Sequence, residues 1–374
     1  MSGPEPRALG SGFISGALSL LLSSLGFGAV LCLLFPAQLT TPELRAVYPM
    51  HIVRGLIQAV IVLGFALGLV SIVLRRSKLL GLCGLSLAVI SVLLGGSEVP
   101  VDGPVAKSNY LGLDWFVLDL LMTALLFVPI ERLFPRVSQP ILRDEIGTDL
   151  IYFFVGHVLI QVFVFLTVAP ATALFAWTHN PGLQAAVAAQ PLVLQFVEIV
   201  VVSDLFFYFT HRLMHRVPFL WRVHAVHHSP RQMDWLAGSR LHVIEIVLVR
   251  AVMFVPLFVC GFAPLAVQAY VIFVAFHAVL LHANVRFDFG LIEHVIATPR
   301  YHQFHHAADG EALDTNFAVH LPLLDRLFGT QYLPAHGWPE RMGIVGAPLP
   351  LGYWAQLAYP FRTPPAEPSV RQGL

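Results

Sequence analysis

The chain has 374 residues, 57% of them hydrophobic and only 12% charged, with 22 Lys+Arg balancing 22 Asp+Glu. That balance, with a mean hydropathy of +0.74, excludes an ordinary soluble domain and marks a membrane protein. The zero net charge leaves no basic face for a nucleic acid, and Cys32, Cys83 and Cys260, each in an apolar run without a knuckle or redox spacing, read as packing residues.

The first apolar run, Phe13 to Phe35, is long enough to cross about 30 Å of hydrocarbon. It is longer and less basic at its start than a cleavable leader and reads as a retained helix. Gly10 and Gly12 lack the strand and helix context of a nucleotide loop. A second span covers Ile52 to Leu74 and a third Leu79 to Gly95, separated by Arg75, Arg76 and Lys78. After a polar loop with Glu98, Asp102 and Lys107, a fourth runs from Leu111 to Ile130, and a basic connector with Arg132, Arg136 and Arg143 leads into Leu150 to Trp177, where Pro170 predicts a kink. A loop over Asn180 to Pro191 precedes the sixth span, Leu192 to Phe209. The basic clusters after the second, fourth and sixth spans set the N-terminus in the cytoplasm. Val243 to Leu281, broken at Gly261 to Pro264, either crosses twice or forms a shallow hairpin, and both return the chain to the same side. The tail from Pro360 to Leu374 is Pro-rich and reads as disordered.

Twelve of the 17 histidines fall between His211 and His306. Eight form three boxes: His211 and His215; His224, His227 and His228; His302, His305 and His306. Helical positions three or four apart share a face, and neutral imidazole ligates Fe, Zn, Cu and Ni. Eight imidazoles exceed the four ligands of one tetrahedral ion, so two metals are expected. Asp204, Tyr208, His211 and His215 form one stripe of the sixth helix. An intramembrane carboxylate is costly enough to suggest function, and Asp204 is expected to accept a proton from the far nitrogen of a ligand ring.

These residues, with Trp221 before the second box, Thr298 and Pro299 before the third, and then Asp314, Asn316, Phe317 and the run Asp325 to Thr330, resemble the fatty acid hydroxylase and sterol desaturase superfamily. The likeness is close over Asp204 to Thr330 and loose over Leu111 to Tyr359. It extends to the bacterial subgroup with Arg240, His242 and Glu245 after the second box, although Val243 stands where that subgroup has proline. The resemblance implies an all-α fold: a polytopic transmembrane helical bundle with a cytoplasmic helical cap that carries a histidine-rich dimetal site. It implies N-terminal helices over residues 1–110, a catalytic domain over 111–340 and a tail over 341–374.

It further implies a membrane-bound non-haem di-iron monooxygenase whose two iron ions are replaceable by zinc on purification. His282, matching a ligand position of the family, and His242, which has the alternative of pairing with Glu245, join the eight box histidines as metal ligands. Asp204, Tyr208 and Asn316 are the expected catalytic helpers, with Asn316 and Asp314 hydrogen-bonding ligand rings and Asp325 to Thr330 stitching the cap. His277 and His294 read as non-ligands, and His51, His157, His179, His320 and His336 as ordinary residues. The implied substrate is a lipid. With no flavin fingerprint or ferredoxin-type cysteine set in the chain, electrons come from a separate donor, either a cytochrome b5-like protein or a ferredoxin with its reductase. Two alternatives stand beside hydroxylation: desaturation or oxidative demethylation at the same centre, and a non-catalytic zinc-binding membrane protein.

Overall fold

In the computed structural model, residues 10–75, 77–101, 110–158, 166, 168, 172–308, 310–346 and 348–362 are described. They form helices and turns with no strand among them, apart from two isolated bridges, Pro135 with Val285 and Ala307 with Met342. Among the described residues seven helical segments are long and apolar enough to cross a membrane, as fits an integral membrane protein. It divides into two compact units, Met1–Asp119 and Leu120–Leu374.

The first unit holds α1 (Phe13–Leu34), α2 (Met50–Leu74) and α3 (Leu79–Leu93). Without a hydrophobic drive between helices in lipid, close approach depends on small residues. On α1 these are Gly16, Ser19, Ser23 and Gly26, all buried. They meet glycines of the other two helices: a Cβ at Gly64 would lie 2.5 Å from the Ser23 hydroxyl, and Ser19 Oγ donates to the Gly64 carbonyl at 2.6 Å. Asp114, in the first turn of α4 (Leu113–Leu133), accepts from Thr41 N at 2.9 Å and from the Tyr48 hydroxyl at 2.7 Å, fastening the start of that helix.

The second unit continues with α5 (Ile146–Val158). The rest of the expected fifth span, Pro170 included, falls largely outside the described residues, as does most of the expected tail. The segment expected as a loop before the sixth span contains a helix, α6 (Pro181–Ala188), because Asn180 caps it through Leu183 N at 3.1 Å and Pro181 occupies its first position. Then come α7 (Leu192–Arg216), α8 (Pro218–His224), α9 (Val243–Cys260) and α10 (Pro264–His282). The break between α9 and α10 is where the sequence places it, with Gly261 left-handed at φ 67 and Pro264 opening the next helix. Gln195 locks the far end of this bundle, accepting from Ala263 N at 2.8 Å and donating to the Gln190 carbonyl at 2.9 Å. Three short helices complete the chain: α11 (Pro299–His305), α12 (Pro322–Leu327) and α13 (Tyr353–Leu357).

Asp204 lies on α7 with a fully buried side chain. It accepts from the backbone N–H groups of Val319, His320 and Leu321 at 3.0, 3.1 and 2.6 Å, binding the loop before α12 to α7. Each buried N–H left without such a partner costs about 1–3 kcal/mol. This corrects the expectation that Asp204 touches a ligand ring. His211 stands seven residues on, about 10 Å along the helix axis, and Asp204 acts on backbone instead.

Candidate metal centre

Nine histidines converge where α7, α8, α10 and α11 end. They fall into two groups, within each of which one nitrogen per ring lies within 4.8 Å of the others: His211, His215, His224, His228 and His305; and His227, His282, His302 and His306. Consecutive helical residues are about 100° apart, so position i+4 lies about 40° to one side of i and position i+3 about 60° to the other. The second and third boxes use this in mirror fashion. His224 and His228 join the first group and His227 the second; His302 and His306 join the second and His305 the first. The expectation of one helix for the whole second box is corrected here, because α8 ends at His224. His227 and His228 occupy the turn beyond, held by N–H bonds back to the His224 carbonyl at 2.8 and 3.3 Å.

Hydrogen bonds fix which nitrogen of several rings is bare. The Nδ1–H groups of His211, His227, His282 and His305 donate to the carbonyls of Phe317, Arg240, Ala278 and Thr315 at 2.8, 3.1, 2.8 and 2.7 Å. A carbonyl only accepts, so in each neutral ring Nε2 carries the lone pair. His224 Nδ1 faces Glu245 Oε1 at 2.7 Å and His215 Nδ1 faces Asp314 Oδ1 at 3.0 Å, the carboxylate–imidazole pairing that orients metal ligands. Two such lone pairs, on His211 Nε2 and His224 Nε2, point at each other across 2.9 Å, and neither can donate to the other. His228 to His224, His302 to His282 and His306 to His302 repeat the approach at 3.1, 3.2 and 3.1 Å.

A metal–nitrogen bond of about 2.0–2.1 Å places neighbouring ligand nitrogens about 2.9 Å apart at a right angle and about 3.4 Å apart at the tetrahedral angle. The observed gaps fall in that window. His215 Nε2 and His305 Nε2 are buried without a hydrogen-bond partner. The residues present therefore fit metal ions. Burial, reinforced by neighbouring imidazoles, holds His224, His227, His228, His302 and His306 well below the ordinary imidazole range, and burial first of all lowers His305 to about 4. All are thereby kept in the neutral, ligating form.

The supports of the rings are mostly residues that sequence reasoning passes over. The sequence offers Glu245, in the first turn of α9, only as a partner for His242, yet it pairs with His224. The Arg240 carbonyl that orients His227 is held by a buried network. The Arg240 guanidinium binds Asp149 and reaches Glu145 at 3.1 Å, while Arg143 binds Asp149 at 2.6 Å and Asp234 at 2.7 Å. The sequence signal is Arg240 within the subgroup motif, but its partners lie some 90 residues away and no spacing rule finds them. Gly238 lets the His282 ring approach, since a Cβ there would stand 2.6 Å from Nδ1 and 2.9 Å from Cγ. Gly238→Ala is therefore expected to displace His282 and weaken metal binding at the four-histidine group roughly tenfold to a hundredfold. Metal titration should read this, and unaltered affinity would remove Gly238 from the account.

Other expected site residues sit elsewhere. His242 joins neither group: Nδ1 caps α9 by accepting from Ile244 N at 3.1 Å and Nε2 donates to the Leu357 carbonyl at 3.0 Å, so both nitrogens are engaged by the protein. Tyr208 is buried, its hydroxyl bonded to Thr330 Oγ1 at 2.8 Å and to Arg212 at 3.1 Å, and it stacks on Phe328. Asn316, left-handed at φ 57, donates to the carbonyls of Tyr301 and Tyr332 and accepts from Tyr332 N, bracing the chain after the third box without touching a ligand ring. Asp314 does touch one, His215. Asp325 stitches the cap by accepting from the N–H groups of Phe317 and Ala318 and from the Tyr301 and Thr330 hydroxyls at 2.6–2.8 Å.

His277 Nε2 donates to the Ala297 carbonyl at 2.9 Å, so its Nδ1 accepts from His320 Nδ1–H at 3.0 Å. Burial lowers His320 from 6.5 to about 4. Because the folded value lies below the unfolded one, this group's contribution to stability is complete above about pH 6.5 and is lost as pH falls toward 4, worth on the order of 3 kcal/mol. Thermal unfolding in detergent should show that decline. A His320→Asn variant is expected to show a shallower one, and identical slopes would exclude the assignment.

The fold and site together define an integral membrane protein with two buried, all-imidazole groups that could hold metal. Residues 196–330 match the family model described as Fatty acid hydroxylase. That segment, about a third of the chain, resembles the fatty acid hydroxylase superfamily. It is 35% identical over 172 residues to "Ornithine lipid hydroxylase OlsE" of Rhizobium tropici, covering 46% of this chain and 51% of that protein. It is 30% identical over 128 residues to the human "Alkylglycerol monooxygenase", covering 34% of this chain and 28% of that one. A very-long-chain aldehyde decarbonylase of Oryza sativa subsp. indica is 31% identical over 150 residues, 37% of this chain and 23% of that protein. The chain thus spans about half the length, or less, of these curated relatives. No solved structure matches it significantly.

Proposed function

We propose that this protein is a membrane-bound non-haem di-iron monooxygenase that hydroxylates a lipid, with the nine converging histidines as its ligands. The carrying observation is the pair of buried histidine groups whose bare nitrogens face one another at ligand-to-ligand distances. The names of the relatives, a lipid hydroxylase and a monooxygenase, support the reaction class. Two bound irons would supply O2 activation, which no side chain performs. The overall reaction is R–H + O2 + 2 e− + 2 H+ → R–OH + H2O. Imidazole alone also suits zinc, copper and nickel; iron is favoured because attack on an unactivated C–H bond requires a redox metal, and zinc is an expected contaminant on purification.

In this reading the chain's own residues do four things. Glu245 and Asp314 orient His224 and His215. The carbonyls of residues 240, 278, 315 and 317 hold four other rings as Nδ1–H tautomers. The salt-bridged Arg240 keeps the His227 turn in place, and burial of the rings excludes water. Residues 111–340 form the catalytic domain, residues 1–110 the N-terminal membrane helices and 341–374 a tail. The N-terminus and metal centre face the cytoplasm, in a bacterial inner membrane, and electrons arrive from a separate cytochrome b5-like or ferredoxin-type donor.

The test combines iron analysis of the purified protein with lipid mass spectrometry of expressing cells under 18O2. Gain of one labelled oxygen is expected. Loss of two hydrogens without oxygen gain would replace hydroxylation by desaturation, and an unchanged lipidome with zinc alone bound would end the enzymatic reading.

A further inference from the structure

A recess of about 190 Å³ lies at the C-terminal end of α4. Its floor is buried and polar, made by Asp234, Trp235 and Asn284, while Arg132 and Ser138 on its rim are accessible. Asn284 is two residues beyond His282, at most about 7 Å of extended chain, and Asp234 caps the turn that carries Gly238 against that ring by accepting from Ala237 N at 2.9 Å. Two residues of the recess are therefore close along the chain to those that set the His282 ring.

Its charges are not all spent. Asp234 is neutralised by Arg143. Glu131 uses Oε1 to accept from Trp235 N at 2.7 Å and Asn284 N at 2.9 Å, and Oε2 takes neither bond. The Arg132 guanidinium makes one long bond, Nη1 to the Gln139 carbonyl at 3.3 Å, leaving Nε and Nη2. Among the described residues no ion pair joins Glu131 to Arg132. A carboxylate oxygen and a guanidinium fork, on consecutive residues that both line the recess at the end of a membrane-crossing helix, stand where lipid headgroups lie.

We propose that this recess seats a zwitterionic lipid headgroup, its anionic group on Arg132 and its ammonium on Glu131, so that the substrate of the hydroxylase reading is held by its polar end. The inference rests on that reading for the word substrate, but not for binding. A carboxylate or a phosphate would serve equally as the anion.

The experiment uses the full chain in nanodiscs and three probes, an ornithine-headed lipid, phosphatidylethanolamine and diacylglycerol, with bound lipid read by native mass spectrometry. Wild type is expected to retain one or both zwitterionic lipids at least tenfold over diacylglycerol, and preference between those two identifies the anion. Arg132→Gln and Glu131→Gln should each lose that preference by about tenfold; glutamine at 131 keeps an oxygen for the two backbone donors, and unchanged metal content verifies folding. Ser138→Trp, which fills the recess without altering charge, should lose it too. Equal retention of all three probes, or variants that bind as wild type, would overturn the proposal. Zwitterionic lipid that binds as expected but is never oxidised leaves this site standing and removes the hydroxylase reading. Oxidation with an unchanged KM in Arg132→Gln does the reverse.

Discussion

His227→Ala is expected to lower bound metal from two ions per chain to one, with lipid oxidation falling to background and helix content unchanged. His227 is 7% exposed and belongs to the group with only four members, so its loss leaves three nitrogens around a cavity that still excludes water. The complementary His224→Ala should weaken metal binding at the five-histidine group instead, where His224 faces both His211 and His228. Metal analysis beside circular dichroism reads the outcome. A His227→Ala protein that holds two irons and turns over normally would refute the ligand set.

Glu245→Gln is the second large effect. The carboxylate accepts from His224 Nδ1 and its side chain is 4% exposed. Glutamine can accept through its oxygen but carries no charge to strengthen the ligand. Its amide, if turned, would donate to Nδ1 and shift the ring proton to Nε2, the nitrogen that must stay bare. A loss of roughly tenfold to a hundredfold in metal affinity is expected. Competitive chelator titration measures it, and equal affinities in variant and parent would show that Glu245 only fills space.

The membrane helices are legible in the sequence because length and hydropathy alone specify a crossing, and the predicted ends fall within a few residues of Leu34, Leu74, Leu93 and Leu133. The eight box histidines are legible because three- and four-residue spacing sets rings on a common helical face, and packing alone does not call for three such clusters of imidazole. Their division between two groups is not, since it depends on α8 stopping at His224. Asp204 and Tyr208 mislead because a shared helical stripe says nothing about depth; both serve the loop and cap after the third box. His242 misleads because a cap and a ligand use the same nitrogen chemistry. Glu245, Gly238 and the Arg240 network act through contacts remote in sequence, which periodicity cannot register.

The alternation at His227 and His228, repeated at His305 and His306, means that single peptide units bridge both groups. Filling one would pin the very backbone that presents rings to its neighbour, sparing the second arrival most of the ordering entropy. Iron uptake by the parent chain should accordingly be cooperative, the second ion binding more tightly than the first.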